Sequence, residues 1–60
     1  MRKADTVRVY TGRDGRWYWQ RRDRHNGQVI ATGGQGYANR SWCIRMARRI
    51  NRRARIEVDA

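Results

Sequence analysis

The sequence predicts an α+β domain, a three-stranded antiparallel sheet with one amphipathic helix on one face and a short C-terminal strand. Apolar and polar residues alternate in the first half of the chain, which is the period of strands. Two turn dipeptides, Asp14-Gly15 and Asn26-Gly27, punctuate that half. Beyond Asn39 the apolar spacing changes to that of a helix.

Val7-Arg8-Val9-Tyr10 reads as the first strand, and Thr11-Gly12-Arg13-Asp14-Gly15 as the turn that follows it. The unbroken aromatic run Arg16-Trp17-Tyr18-Trp19-Gln20-Arg21-Arg22 pairs back as the second strand. Asp23-Arg24-His25-Asn26-Gly27 is the second turn, with Asn26-Gly27 suited to positive φ at both central residues. Gln28-Val29-Ile30-Ala31-Thr32 is the third strand, and Gly33-Gly34-Gln35-Gly36 a flexible connector. Asn39 or Ser41 caps a helix running from Arg40 to Arg52 or Arg53. Its apolar face gathers Trp42, Cys43, Met46, Ala47, Ile50 and Ala54, with Ile44 alone off that face. Arg55-Ile56-Glu57-Val58-Asp59 alternates again and adds a fourth strand, in its own sheet or in a partner's. The domain is expected over residues 7–58, with a basic tail at 1–6 that includes Arg2 and Lys3, and a tail at 59–60.

Fourteen of the 60 residues are Arg and one is Lys, against five acids, for a formal net charge of +10. The isoelectric point of about 11.6 and mean hydropathy of -1.14 make a polyanion the expected partner. Arg donates in a planar fork that grips phosphate or a guanine edge, where Lys is a point charge. A GC-rich genome also exchanges Lys for Arg, which accounts for the ratio but not for the net charge. So short a chain has a thin core, and pooling two cores in a homodimer is the expected remedy. The single Cys43 excludes an internal disulfide framework and fits a reducing compartment. No run is apolar enough to span a bilayer, and Met1-Arg2-Lys3-Ala4-Asp5 lacks the apolar stretch of a signal peptide. The expectation is a cytoplasmic protein, nucleoid-associated if its partner is DNA.

Val7-Arg8-Val9-Tyr10, Asp14-Gly15-Arg16-Trp17-Tyr18-Trp19, Asn26-Gly27-Gln28-Val29-Ile30-Ala31-Thr32 and Gly36-Tyr37-Ala38-Asn39 follow one another in an order that resembles the YegP-like family of small domains. The likeness covers Val7 to Val58. It implies the strand, turn and helix order above, and either two tandem copies or a dimer of single copies; it implies no established activity. Two departures stand out. The segment from Gly15 to Asn26 is about one residue longer, which puts Arg21 or Arg22 where the family has an apolar side chain. The helix is also far more basic.

Alternation puts Trp17 and Trp19 on one sheet face and Tyr18, Gln20 and Arg22 on the other. The resemblance implies that Val7, Val9, Trp17, Trp19 and Ile30 face the helix, which leaves Arg8, Tyr10, Tyr18, Gln20 and Arg22 on the outer sheet face. Arg and Gln read base edges and Tyr reaches phosphate, so that outer face is one candidate nucleic-acid surface. The architecture is similar, at fold level only, to the arm-binding domains of tyrosine-type integrases and to plant AP2-type domains. The plainer reading is a cross-strand Tyr10–Tyr18 pair that holds the hairpin. Trp17, Trp19 and Trp42 are assigned to the core. The second candidate surface is the helix stripe Arg45, Arg48, Arg49 and Arg52, extended by Arg53 and Arg55, which has one sign and no acid at i,i+4.

The other motifs carry less. Gly33-Gly34-Gln35-Gly36 lacks the ending of a phosphate loop, and His25 stands in a turn without a ligand cluster. The five acids are scattered among turns and chain ends, which points away from an enzyme and from any cofactor or metal. The leading expectation is a homodimeric nucleic-acid-binding protein, with double-stranded DNA favoured over RNA. The competing one is a small interaction module, such as a phage-type effector, that docks on an acidic host protein.

Overall fold

The computed structural model describes residues 4–33 and 36–59. The expected roles of Arg2, Lys3, the Gly34-Gln35 part of the connector and Ala60 lie outside the described residues. The order is β1 (Thr6–Thr11), β2 (Trp17–Arg22), β3 (Val29–Thr32), α1 (Arg40–Ile50) and β4 (Arg55–Val58). All four strands form one mixed sheet in the order β3-β2-β1-β4. The α+β class and the single helix agree with the sequence reading. The sheet, however, has four strands where three antiparallel ones were expected in the body, and the last runs parallel to β1. Parallel neighbours cannot be joined by a tight turn, so α1 is the crossover that returns the chain to the starting end of β1.

Thr11-Gly12-Arg13-Asp14-Gly15 turns as read: the Gly12 amide donates to Arg16 O at 2.8 Å and the Gly15 amide to Gly12 O at 3.1 Å. Gly15 takes a φ of 78°, the left-handed residue that follows such a turn in a three-residue hairpin loop. The second turn differs from expectation. Gly27 has a φ of 70° but Asn26 is not left-handed, so the pair is not the centre of a two-residue hairpin. Asp23 organises a longer loop instead, its Oδ1 accepting from the amides of His25 at 2.6 Å and Asn26 at 3.3 Å.

The core is Val7, Val9, Trp19, Cys43 and Ala47, with Trp17, Tyr37, Ile44, Ala54, Ile56 and Val58 packed around it. Burying one Val contributes about 1.5–3 kcal/mol, so so small a set leaves little reserve. Gly33 closes over Trp19: a Cβ there would stand 2.5 Å from the indole Nε1. Burial raises the Cys43 thiol pKa, which suits a packing group rather than a nucleophile.

The helix departs from the sequence reading in two respects. It ends at Ile50, short of Arg52, because buried Asn51 caps it; backbone N and side-chain Nδ2 of Asn51 both donate to Ala47 O at 2.9 Å. It is also rolled relative to the expected face. Cys43 and Ala47 are buried and Ile44 packs on the core, while Trp42 is 49% and Ile50 54% exposed. Trp42 is therefore a surface residue rather than a core one. The face assigned by hydropathy was centred too near Trp42 because a buried Asn51 was read as polar surface. Ile30 likewise leaves the expected core, at 53% exposed. The register shifts between Arg21 and Arg22, which oppose Ala31 and Val29, so Ile30 is the extra residue of a bulge. The N-cap is Asn39, whose Oδ1 accepts from the Trp42 amide at 3.2 Å.

The framework is wider than residues 7–58. Thr6 belongs to β1, and Asp5 receives Arg21 Nη2 at 2.8 Å, the Arg24 amide at 2.9 Å and, on its carbonyl, the Arg55 amide at 2.8 Å. Asp59 donates its amide to Val9 O at 2.9 Å. Arg21 is the basic residue that turns inward: it opposes Val7 and reaches Asn51 Oδ1 at 3.4 Å, so the ion pair with Asp5 offsets a charge at the rim of the core.

Candidate nucleic-acid interface

Antiparallel pairing of Arg8 with Gln20 and of Tyr10 with Tyr18 puts these four residues on one sheet face, and Thr6 opposite Arg22 adds the fifth. The structure thus brings together Arg8, Tyr10, Tyr18, Gln20 and Arg22 on the side away from α1. It also gives most of them partners inside the chain. Arg8 donates to Asp59 through Nη2 at 2.6 Å and Nε at 3.2 Å, and lies 5.3 Å from the Tyr10 ring centroid. Tyr10 and Tyr18 stack at 6.1 Å with 29° between their planes. The Tyr18 hydroxyl donates to Asp14 Oδ2 at 2.5 Å, and Arg22 Nη1 to Gly27 O at 2.9 Å.

These contacts set the local electrostatics. The hydrogen bond from Arg8 and its charge hold the Asp59 carboxyl below its ordinary value, and Asp59 in turn raises Arg8. The bond from Tyr18 lowers Asp14 and raises Tyr18 itself. Parallel pairing of Arg8 with Glu57 and Thr6 with Arg55 places a further acid and base on this face. Its charged groups are then Arg8, Arg22 and Arg55 against Glu57 and Asp59, close to balance. Asp59 was not among the residues singled out from the sequence. The direction of β4 decides its place beside Arg8, and local spacing does not encode that direction.

The helix face is different. Arg45, Arg48 and Arg49 stand at i, i+3 and i+4, so they form one ridge opposite Cys43 and Ala47, and Arg52 follows just beyond the C-cap Asn51. All four are exposed, and Arg53 follows Arg52 beyond the C-cap. No acid occurs between Asp23 and Glu57. Among the described residues no ion pair involves any of the five. Arg48 and Arg49 sit in the last turn, where the helix dipole favours cations. Each like-charged neighbour pair nevertheless costs about 0.2–0.5 kcal/mol in an isolated helix. Arg53 adds strain, because its φ of 66° puts a long side chain in the left-handed region that glycine fills most readily.

Two aromatic contacts border this ridge and were not anticipated. Arg45 lies 6.0 Å from the exposed Trp42 ring, and Arg40 lies 5.8 Å from the ring of Trp17. Asn39, Ser41, Trp42 and Arg45 line an open depression at the start of α1.

Comparison with family models, with curated proteins and with solved structures finds no match to this chain, so the YegP-like likeness rests on the quoted segments alone.

Proposed function

We propose that this chain is a non-enzymatic protein that binds double-stranded DNA as a homodimer, taking its affinity from Arg45, Arg48, Arg49, Arg52 and Arg53. The observation that carries this reading is the single-sign ridge on α1, without an acidic partner among the described residues. A solvated surface helix would gain from i,i+4 acids, and this one has none; phosphate supplies the missing counter-charge. An α-helix with its side chains is about 10–12 Å across, which matches the ~12 Å width of the major groove of B-form DNA. The deep, narrow major groove of A-form RNA admits no helix, which favours DNA over RNA.

The outer sheet face takes the lesser part. Arg8, Tyr18 and Arg22 serve the framework first, and Gln20 with the Tyr10 ring is left to touch a groove edge. Four of the five acids are similarly engaged: Asp5 with Arg21, Asp14 with Tyr18, Asp23 with its own turn and Asp59 with Arg8, while Glu57 stands exposed on the sheet edge. No helix among the described residues is long and apolar enough to cross a membrane. A reduced Cys43 and a DNA partner suit a cytoplasmic, nucleoid-associated protein.

The test is a titration against duplex DNA, single-stranded DNA and duplex RNA across a range of salt. The expected result is tightest binding to duplex DNA. Contact with four to eight phosphates gives log affinity against log salt a slope of about -4 to -7. Equal affinity for all three, or binding indifferent to salt, refutes the proposal.

A further inference from the structure

We propose that two copies of this chain pair through the free edge of β3, antiparallel and about a two-fold axis, to make one continuous eight-stranded sheet with both helices on the same face.

The two edges of the sheet differ in chemistry. β4 alternates Arg55 and Glu57 along its length, the charged protection that natural edges carry against pairing. β3 is Val-Ile-Ala-Thr, exposed at every residue and uncharged. It belongs to the longest run of the chain without Asp, Glu, Lys or Arg, His25 to Asn39. With a net charge of +10, two copies repel each other almost everywhere, and this edge is where they meet without opposing arginines. The bulge sits at the start of the strand. Ala31 and Thr32 keep regular partners in Arg21 and Gln20, and Gly33 N donates to Trp19 O at 2.9 Å, so a straight edge remains.

The exposed large apolar side chains point to the same side. Among the described residues they are Val29 (44%), Ile30 (53%), Trp42 (49%) and Ile50 (54%). α1 packs on β1, β2 and β4 and does not reach β3. β3 and β4 run parallel, so β3-α1-β4 is a crossover of the kind that is right-handed in nearly all proteins. With α1 running back along the sheet and Cys43 and Ala47 inward, that hand turns the Trp42, Met46 and Ile50 flank toward β3. Flank and strand then wall a trough that a second copy closes with its own flank and strand. A self-complementary patch of this kind fits a two-fold partner. It also supplies the burial that five core residues do not.

In this arrangement both arginine ridges face the same way. They are separated by about five strand spacings of ~4.8 Å, some 20–25 Å. That span lies within one ~34 Å turn of duplex. The placement of the ridges on DNA rests on the proposed function; the pairing of β3 does not.

The experiment is sedimentation equilibrium of the full chain from low to high micromolar, with Ile30→Lys, Trp42→Ser and Glu57→Lys alongside. Circular dichroism and melting confirm that each is folded. The wild type is expected at twice 7.2 kDa. Ile30→Lys and Trp42→Ser should each weaken the dimer about tenfold or more, since a lysine at a two-fold edge meets its own copy and Trp42 supplies the seam. Glu57→Lys on the other edge should leave it unchanged. A wild type that stays monomeric overturns the proposal, as does a dimer that survives both β3-side substitutions or is lost in Glu57→Lys. Duplex titration of the same samples separates the two ideas: a dimer that ignores DNA sinks the DNA binding and leaves the pairing, and a monomer that binds DNA sinks the pairing and the homodimer but leaves the DNA binding.

Discussion

The outer face of the sheet and the outer face of α1 both display arginine, yet they place it in opposite settings. On the sheet, Arg8 is held by Asp59, Arg22 by the Gly27 carbonyl, and the inward Arg21 by Asp5, so charge is consumed in joining distant segments. On the helix and just past its cap, Arg45, Arg48, Arg49 and Arg52 form no ion pair among the described residues, and Arg53 occupies a strained conformation that glycine would relieve. Composition treats all fourteen arginines alike; only their counter-ions separate those that build the fold from those available to a ligand. The acids are few, and the fold directs them to the sheet and its turns.

The largest expected effect comes from removing the helix ridge. Arg45, Arg48, Arg49 and Arg52 changed together to Ala should lower duplex affinity at low salt by about 100-fold or more and reduce the salt slope by about 3–4, measured by fluorescence anisotropy. The fold should persist, because four like charges leave an exposed surface. A variant that binds as well as the parent abolishes the distinction between the faces.

Arg53→Gly comes next and moves two quantities in opposite directions. Relief of the left-handed residue should raise stability by about 1 kcal/mol in urea unfolding, while loss of one phosphate contact lowers the salt slope by about 0.9. A stabilised variant with an unchanged slope would place Arg53 outside the binding surface.

Acid pH acts on the sheet rather than the helix. Asp5, Asp14 and Asp59 have pKa values lowered from 3.8 by Arg21, Tyr18 and Arg8 in turn. A carboxyl lowered in the folded state contributes stability that is complete above its unfolded value and is lost as pH falls through its folded one. Melting temperature should therefore hold from neutral pH to about 4 and fall below it. Asp59→Asn should remove part of that fall.

The smallest effect sharpens the comparison most. Arg8→Ala should change duplex affinity by less than about threefold, because its charge is already met by Asp59. Asp59→Asn releases Arg8 and should raise affinity slightly, by less than about twofold. A tenfold loss in Arg8→Ala would restore the sheet to equal standing.

Where local chemistry decides, the chain is legible. The Val7 and Val9 alternation, the Trp17 and Trp19 parity, the Asp14-Gly15 turn and the Asn39 cap are short-range signals, and the structure has each of them. The parallel direction of β4 is not local, since it depends on where α1 delivers the chain, and Asp59 therefore went unremarked as the partner of Arg8. The roll of α1 was hidden by chemistry: a buried Asn51, tied to Ala47 and Arg21, reads as surface in any hydropathy pattern. Ile30 is itself the extra residue of a bulge, which no turn signal marks. For the candidate site, residue types and shared faces were legible, but which arginines are already neutralised depends on contacts such as Arg8–Asp59, 51 residues apart.

That same long-range closure fixes an order of events for the folding chain. The β1–β2 hairpin and the turn after it need only neighbours, whereas β4 finds its place beside β1 after some fifty residues have intervened. Closing so long a loop is slow and comes late, because chain entropy must be lost before the contacts that offset it exist. During synthesis the hairpin can assemble as soon as it is free, but the open side of β1 stays unsatisfied until the strand that covers it emerges. Substitutions in β4, such as Ile56→Ala, should hasten unfolding and hardly slow refolding, while those in the hairpin should do the reverse.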